Sequence, residues 1–253
     1  MAVINVYKPP GATPLRMIQL LRELYSIYDD VRMTYAGRLD PMAEGVLIIL
    51  SDDDALKKDE FLGLDKMYEA EILFGFETDT YDALGIAKST PIGQDDEWKA
   101  QIWKEFRKFQ GANILSLPPY SSYKINGKPL FYWAREGKLD ELIIPQRTMT
   151  VHEIRMDDAY TISSSRLLKR ITKNINLIEG DFRQEEILAS WKSILETNTE
   201  NFIVAKVQIH CSAGTYIRSI AQEIGKRLGT GGVLLQLTRT RVGSYSVNDS
   251  LRI

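Results

Sequence analysis

Apolar positions along the chain change spacing several times, and each change marks an element. Residues 3–7 (VINVY) form a short apolar run that reads as a strand, broken by the Pro and Gly of KPPGAT. Residues 14–27 read as a helix, with Pro14 in the first turn, where its missing N–H does no harm. GVLIIL, residues 45–50, is uninterrupted and reads as a strand buried on both faces. Residues 66–75 (KMYEAEILFG) predict the next strand, and the polar, Gly-ended stretch 77–85 a loop. Trp98, Ile102 and Phe106 fall at helical spacing. LPPYSSYKINGKP reads as a loop and strand turning at Asn126-Gly127. A short helix follows, closed by Gly137.

Between about residues 160 and 200 the pattern is helical, with Ile187, Leu188, Trp191, Ile194 and Leu195 on one side, and it reads as an insertion. Residues 201–211 alternate as a strand does. The stretch from Thr215 carries the clearest stripe in the chain: Ile217, Ile220, Ala221, Ile224 and Leu228, ended by Gly229. Residues 233–247 predict a last strand. Strands and helices mix without regular alternation, which favours an α+β fold over a doubly wound one. No linker or repeat divides the chain, so residues 1–253 are expected to form one domain.

Composition narrows the chemistry more than the fold. With 44% hydrophobic and 26% charged residues, the chain is that of a globular protein. A single cysteine rules out an internal disulfide and suits a reducing cytoplasm, the expected location. No apolar run approaches the length of a membrane span, and the N-terminus does not read as a signal peptide. A net charge of -2 tells mildly against nucleic acid, although a local basic patch would suffice. Only two histidines are present: His210 adjoins Cys211, and His152 stands far off in sequence. No zinc pattern and no nucleophile elbow accompany them.

Two charged residues break the pattern around them. Arg218 falls in the first turn of the Thr215 helix, where the partial positive charge disfavours a cation. It flanks the apolar stripe, so it either snorkels or answers a nearby anion. Asp40 precedes Pro41 at the lip of the GVLIIL strand. An Asp-Pro turn is the simple reading. Yet Gly37 and Gly45 on either side permit close backbone approach. A carboxylate there could meet Arg218, which would orient it and balance its charge. Tyr68 is either a cross-strand aromatic or a stacking platform for a base. Lys8, where the first strand meets its turn, reads as a solvated lysine.

Taken in order, these segments resemble the TruB family of pseudouridine synthases. YKPPGAT is similar to that family's first motif, GRLDPMAEGVL to its catalytic motif, and KMYEAEILFGFETDTYDALG to its third block. HCSAGTYIRSIAQEIG resembles the motif bearing the arginine partner, and LTRTRVGSYSV the closing strand. The resemblance implies a mixed, largely antiparallel sheet with flanking helices. It also implies a tRNA pseudouridine synthase that flips a T-loop uridine, detaches the base and rejoins it through carbon. Asp40 would be the nucleophile, Arg218 its partner, and Tyr68 the ring that stacks on the uracil and takes the C5 proton. Lys8, Tyr35, Gly37, Asp79 and Lys124 would line the substrate site. No metal or cofactor is implied, the partner is the T arm of tRNA with no membrane, and a monomer is expected.

The sequence also departs from the family pattern. Tyr35 stands where the family usually has a His that stacks in the T loop, and Arg38 precedes Leu39. Thr13-Pro14 replaces Thr-Ser, and the PPYSS loop is one residue short. The 160–200 insertion is longer than in compact bacterial members. The C-terminal RNA-binding (PUA) domain of most bacterial members is not expected after the last strand. The changed loop contacts keep open a non-catalytic tRNA-folding chaperone using the same surface. A metal-dependent nuclease built on Asp52, Asp53, Asp54, Asp79 and Asp82 is a more distant option.

Overall fold

The computed structural model describes residues 3–90 and 97–253. The first half of the chain supplies β1 (Val3–Lys8), α1 (Pro14–Leu24), β2 (Met33–Ala36), β3 (Glu44–Ser51), α2 (Lys58–Leu62) and β4 (Lys66–Phe74). It continues with β5 (Phe76–Thr78), β6 (Ala87–Ser89), α3 (Glu97–Lys108), β7 (Gly111–Ser116), β8 (Lys124–Ile125), β9 (Lys128–Pro129) and α4 (Leu130–Arg135). The second half supplies β10 (Gln146–Ser163), α5 (Ser164–Asn176), α6 (Gln184–Leu195), β11 (Asn201–Cys211), α7 (Ile217–Leu228), β12 (Gly232–Val242) and β13 (Tyr245–Ser246).

One large sheet organises the molecule in the order β1-β3-β12-β4-β11-β10-β7, with β2 added to β3 and β13 to β12. Every pairing in it is antiparallel except β3 with β12, where Thr238 and Arg239 lie opposite Glu44 and Gly45. The fold is therefore α+β with a mixed, largely antiparallel sheet, as the sequence pattern predicts. Successive strand residues point to opposite faces, so β4 divides itself between two cores. Ile72 and Phe74 join α3 and α7 on one face; Leu73 joins α5 and α6 on the other. α1 packs Met17, Ile18 and Leu21 beneath Leu47 and Ile49 of β3. No described helix is long and apolar enough to cross a membrane.

Several boundaries differ from the sequence expectation. α1 stops at Leu24, because Tyr25 turns extended at φ -136° and its N–H closes the helix on the Leu21 carbonyl. The region from residue 160 begins as strand: β10 runs 18 residues to Ser163, pairing first with β7 and from Val151 onward with β11, and only then do α5 and α6 form. Its broken alternation, interrupted by two register shifts, hides it from a period-two reading. The Asn126-Gly127 turn is as expected, both residues at positive φ (51° and 78°) between β8 and β9.

Candidate active site

The loop 37–43 joins β2 to β3 and carries Asp40. Its backbone makes the simple turn the sequence suggests, the Ala43 N–H donating to the Asp40 carbonyl at 3.0 Å. Its side chain does something else. Arg218 Nη2 donates to Asp40 Oδ1 at 2.9 Å, and Arg218 Nε stands 2.8 Å from Oδ2. The guanidinium is buried, with 4% of its side-chain surface exposed, while the carboxylate keeps 35%. The pair thus presents an oriented carboxylate to solvent from a fixed, interior cation. Arg218 does not snorkel. Nη1 donates to the Thr80 carbonyl at 2.9 Å and Nη2 also to that of Tyr120 at 3.2 Å. Burial alone would lower the guanidinium's pKa, but Asp40 and Asp82 raise it.

Two further buried cations hold the loop. Lys8 is fully buried, not solvated, and its Nζ donates to the carbonyls of Ala43 (2.6 Å), Pro9 (3.0 Å) and Pro41 (3.4 Å). Burial pushes its ammonium down to about 8, against the attraction of Asp40. Arg239 of β12, 1% exposed, donates to the carbonyls of Val46 (2.8 Å), Gly37 (3.1 Å) and Arg38 (3.2 Å). Hydrogen bonds from charged donors are stronger than neutral ones, and here they bracket Asp40 on both sides. Gly45 completes the arrangement. It adopts φ +107°, and a Cβ there would lie 2.2 Å from the Arg239 carbonyl oxygen. Arg239 is absent from the sequence-predicted site. Its signal was a cation with the strand parity of the buried Leu237.

Asp82 brings a second carboxylate to Arg218, its Oδ2 3.7 Å from Nε. It lies in the loop after β5, where its Oδ1 accepts from the Thr80 hydroxyl (2.7 Å) and the Leu84 N–H (2.9 Å). Burial pushes its carboxyl up to about 6, although Arg218 pulls the other way. Tyr68 of β4, 8% exposed, sits in the same core cluster as Leu39 and Ala43 and lies opposite Arg239 in the sheet register. Burial pushes its phenol up to about 12, partly offset by Arg239. Such a phenol keeps its proton at neutral pH, which suits a stacking surface better than a resting base.

The other sequence-predicted residues are less central. Gly37 (φ +79°) takes part through its carbonyl. Asp79 lies at the rim: its Oδ1 accepts from the Ile86 N–H at 2.8 Å, and its Oδ2 pairs with Arg183 at 2.9 Å. Arg183, in the turn before α6, stacks 4.7 Å over the Tyr120 ring, so the α5–α6 segment reaches this rim. Asp79 and Asp82 each face an arginine rather than an open metal position. Tyr35 packs partly buried against the α1 core, with the Lys58 ammonium 5.4 Å from its ring. Lys124 is exposed on the β8–β9 hairpin. Arg38 is exposed and donates to Ser122 Oγ at 2.9 Å. Nor does His152 stand apart in space: its ring lies 4.8 Å from that of His210.

Comparison with known proteins gives a consistent picture. Residues 25–173 match the model of the TruB family pseudouridylate synthase N-terminal domain. A tRNA pseudouridine synthase B from Francisella philomiragia is 33% identical over 253 residues, covering 98% of this chain and 67% of that protein. Proteins of the same name from Francisella tularensis (32% identical, 93% of this chain, 64% of that protein) and Corynebacterium jeikeium (30%, 98% and 68%) are similar. The chain thus spans 64% to 68% of the length of these curated relatives. Among solved structures, a Cbf5-Nop10-Gar1 complex shares the fold at TM-score 0.60 and 21% identity, covering 99% of this chain and 52% of that one. An H/ACA RNP bound to a substrate RNA containing 2′-deoxyuridine does so at 0.57 and 20%, covering 99% and 50%.

Proposed function

The chain belongs to the TruB family of pseudouridylate synthases, and on that footing we propose that it isomerises a T-loop uridine of tRNA to pseudouridine, with Asp40 as nucleophile. The observation that carries this reading is the half-exposed Asp40 carboxylate fixed by the buried Arg218 guanidinium. A carboxylate so oriented can attack as a covalent catalyst. An Asp40 carboxylate oxygen bonds to C1′ as the N1–C1′ bond breaks, the base turns, C5 attacks C1′ and releases the carboxylate, and the C5 proton passes to solvent while N1 takes one up. The target base must first leave its stack, because nothing on the protein can reach it inside a folded RNA.

Each neighbour has a role that its surroundings support. Arg218 orients Asp40. Lys8 and Arg239 are positioning residues that fix the loop from behind. The neutral Tyr68 ring holds the freed base close enough to rejoin, so the second bond forms without diffusion. Exposed Arg166, Lys169 and Lys173 share one face of α5 and offer the backbone a local positive stripe despite the negative net charge. The enzyme acts as a monomer on the T arm. Pseudouridine mapping of an unmodified tRNA transcript after incubation tests this. Conversion of one T-loop uridine is expected; an unconverted T loop would overturn it, and binding without conversion would leave the chaperone reading.

A further inference from the structure

The chain's only two histidines come together with a carboxylate on the sheet, at a place the proposed reaction does not use. His152 lies on β10, His210 on β11, and Asp65 immediately before β4, so two neighbouring strands and the entry to a third each contribute one group. A β-bulge creates the meeting. Val151 pairs with Cys211 and Glu153 with His210, which leaves His152 as the extra residue. Such a bulge re-aims a side chain that regular alternation would send elsewhere. His152 Nε2 lies 3.2 Å from Asp65 Oδ2, and the two imidazole rings are tilted at 55°. One donor atom from each of the three residues falls within 4.8 Å of the others. His152 and Asp65 are exposed and His210 half-buried, so an ion has access from solvent. Cys211, the neighbour of His210, is buried on the opposite strand face and takes no part.

We propose that Asp65, His152 and His210 form a surface site for one divalent transition-metal ion of the zinc class. Two imidazole nitrogens and one carboxylate oxygen are the donor set that zinc, cobalt(II) and nickel(II) accept, with solvent completing the shell. Metal–donor bonds of about 2.1 Å place tetrahedral donors ~3.4 Å apart, near the separation His152 and Asp65 already have. Small side-chain rotations bring the third donor in. A bound ion would tie the entry of β4 to β10 and β11, stabilising the end of the sheet from which β4 leads to Tyr68.

Equilibrium dialysis against zinc, with cobalt(II) as a spectroscopic probe, tests the site on the whole chain. Wild type should bind one equivalent and show the visible bands of low-coordinate cobalt. Its melting temperature should rise with zinc, because a ligand bound only by the folded state stabilises it. His152→Ala and Asp65→Asn, both at exposed positions, should keep the fold by circular dichroism and weaken binding by about tenfold or more, in line with losses at metal-site groups. His210→Ala should do the same where it folds. Wild-type binding no tighter than that of His152→Ala, or no binding by wild type, would overturn the site and leave a histidine–aspartate contact.

Discussion

Asp40 carries two tasks at once: its backbone closes a turn with Ala43, and its side chain meets Arg218. That coincidence explains why an Asp-Pro step at a strand lip looks ordinary in sequence. Arg218 was the legible half of the pair, since a cation in a first helical turn beside an apolar stripe asks for an anion. Lys8 was misread because a Lys before Pro-Pro-Gly has every local sign of a solvated turn. Only the fold brings the Ala43 and Pro41 carbonyls to it. Asp82 makes the residue-scale prediction. Its folded carboxyl is raised to about 6, above the ordinary carboxylate value. The unfolded chain therefore releases this proton first, and stability falls as pH rises from about 4 to 6, by roughly 2 to 3 kcal/mol at most. Asp82→Asn should remove that slope. Urea midpoints across this range should show the variant gaining on wild type with rising pH and a constant gap above about 7; a gap independent of pH would refute it.

Among the elements, β3 sets the geometry. Its run of apolar residues is buried on both faces, and its parallel contact with β12 brings Gly45 under the Arg239 carbonyl. Gly45→Ala should therefore cost about 2 to 4 kcal/mol in chemical denaturation, from both the backbone conformation and the 2.2 Å approach. Gly63→Ala, at φ -71° with its nearest neighbours 3.5 Å from the added Cβ, is the control and should shift stability by under about 0.5 kcal/mol. β4, β11, α3 and α7 were readable from their periodicity, and β1 and β3 from their unbroken apolar runs. β10 was not, because two register shifts break its alternation, and β2 is too short to carry a period. The same bulge that hid β10 from the sequence brings His152 to His210.

Across the whole molecule, the α5–α6 segment is part of the core rather than an appendage. Leu167, Ile171, Ile187 and Trp191 cover Leu73, Val204 and Val233 of the sheet. Trp191 also donates from Nε1 to the Ala83 carbonyl at 3.1 Å, in the loop that carries Asp82, and packs 4.9 Å from the Phe76 ring. Where α5 ends, Gly11 fits against the chain: at φ +91°, a Cβ there would lie 2.1 Å from the Leu177 carbonyl oxygen. The helical character of this region was legible from Ile187, Trp191 and Leu195, but its reach to the site was not, since no local pattern records a distant contact. Trp191→Ala should destabilise the protein by about 3 to 5 kcal/mol. Trp191→Phe should cost far less, near the 1 kcal/mol of a lost hydrogen bond. Thermal unfolding of both, beside wild type, checks the order; equal effects would mean that the ring fills no essential volume.

Release of tritium from C5-labelled uridine in a tRNA transcript tests whether Asp40 performs the proposed chemistry. Wild type should release the label to water as the C5 proton is lost. Asp40→Asn, which keeps the side-chain shape and an acceptor for Arg218, should release none above the background of the RNA alone. Release by Asp40→Asn at the wild-type rate, or none by the folded wild-type protein, would contradict the assignment.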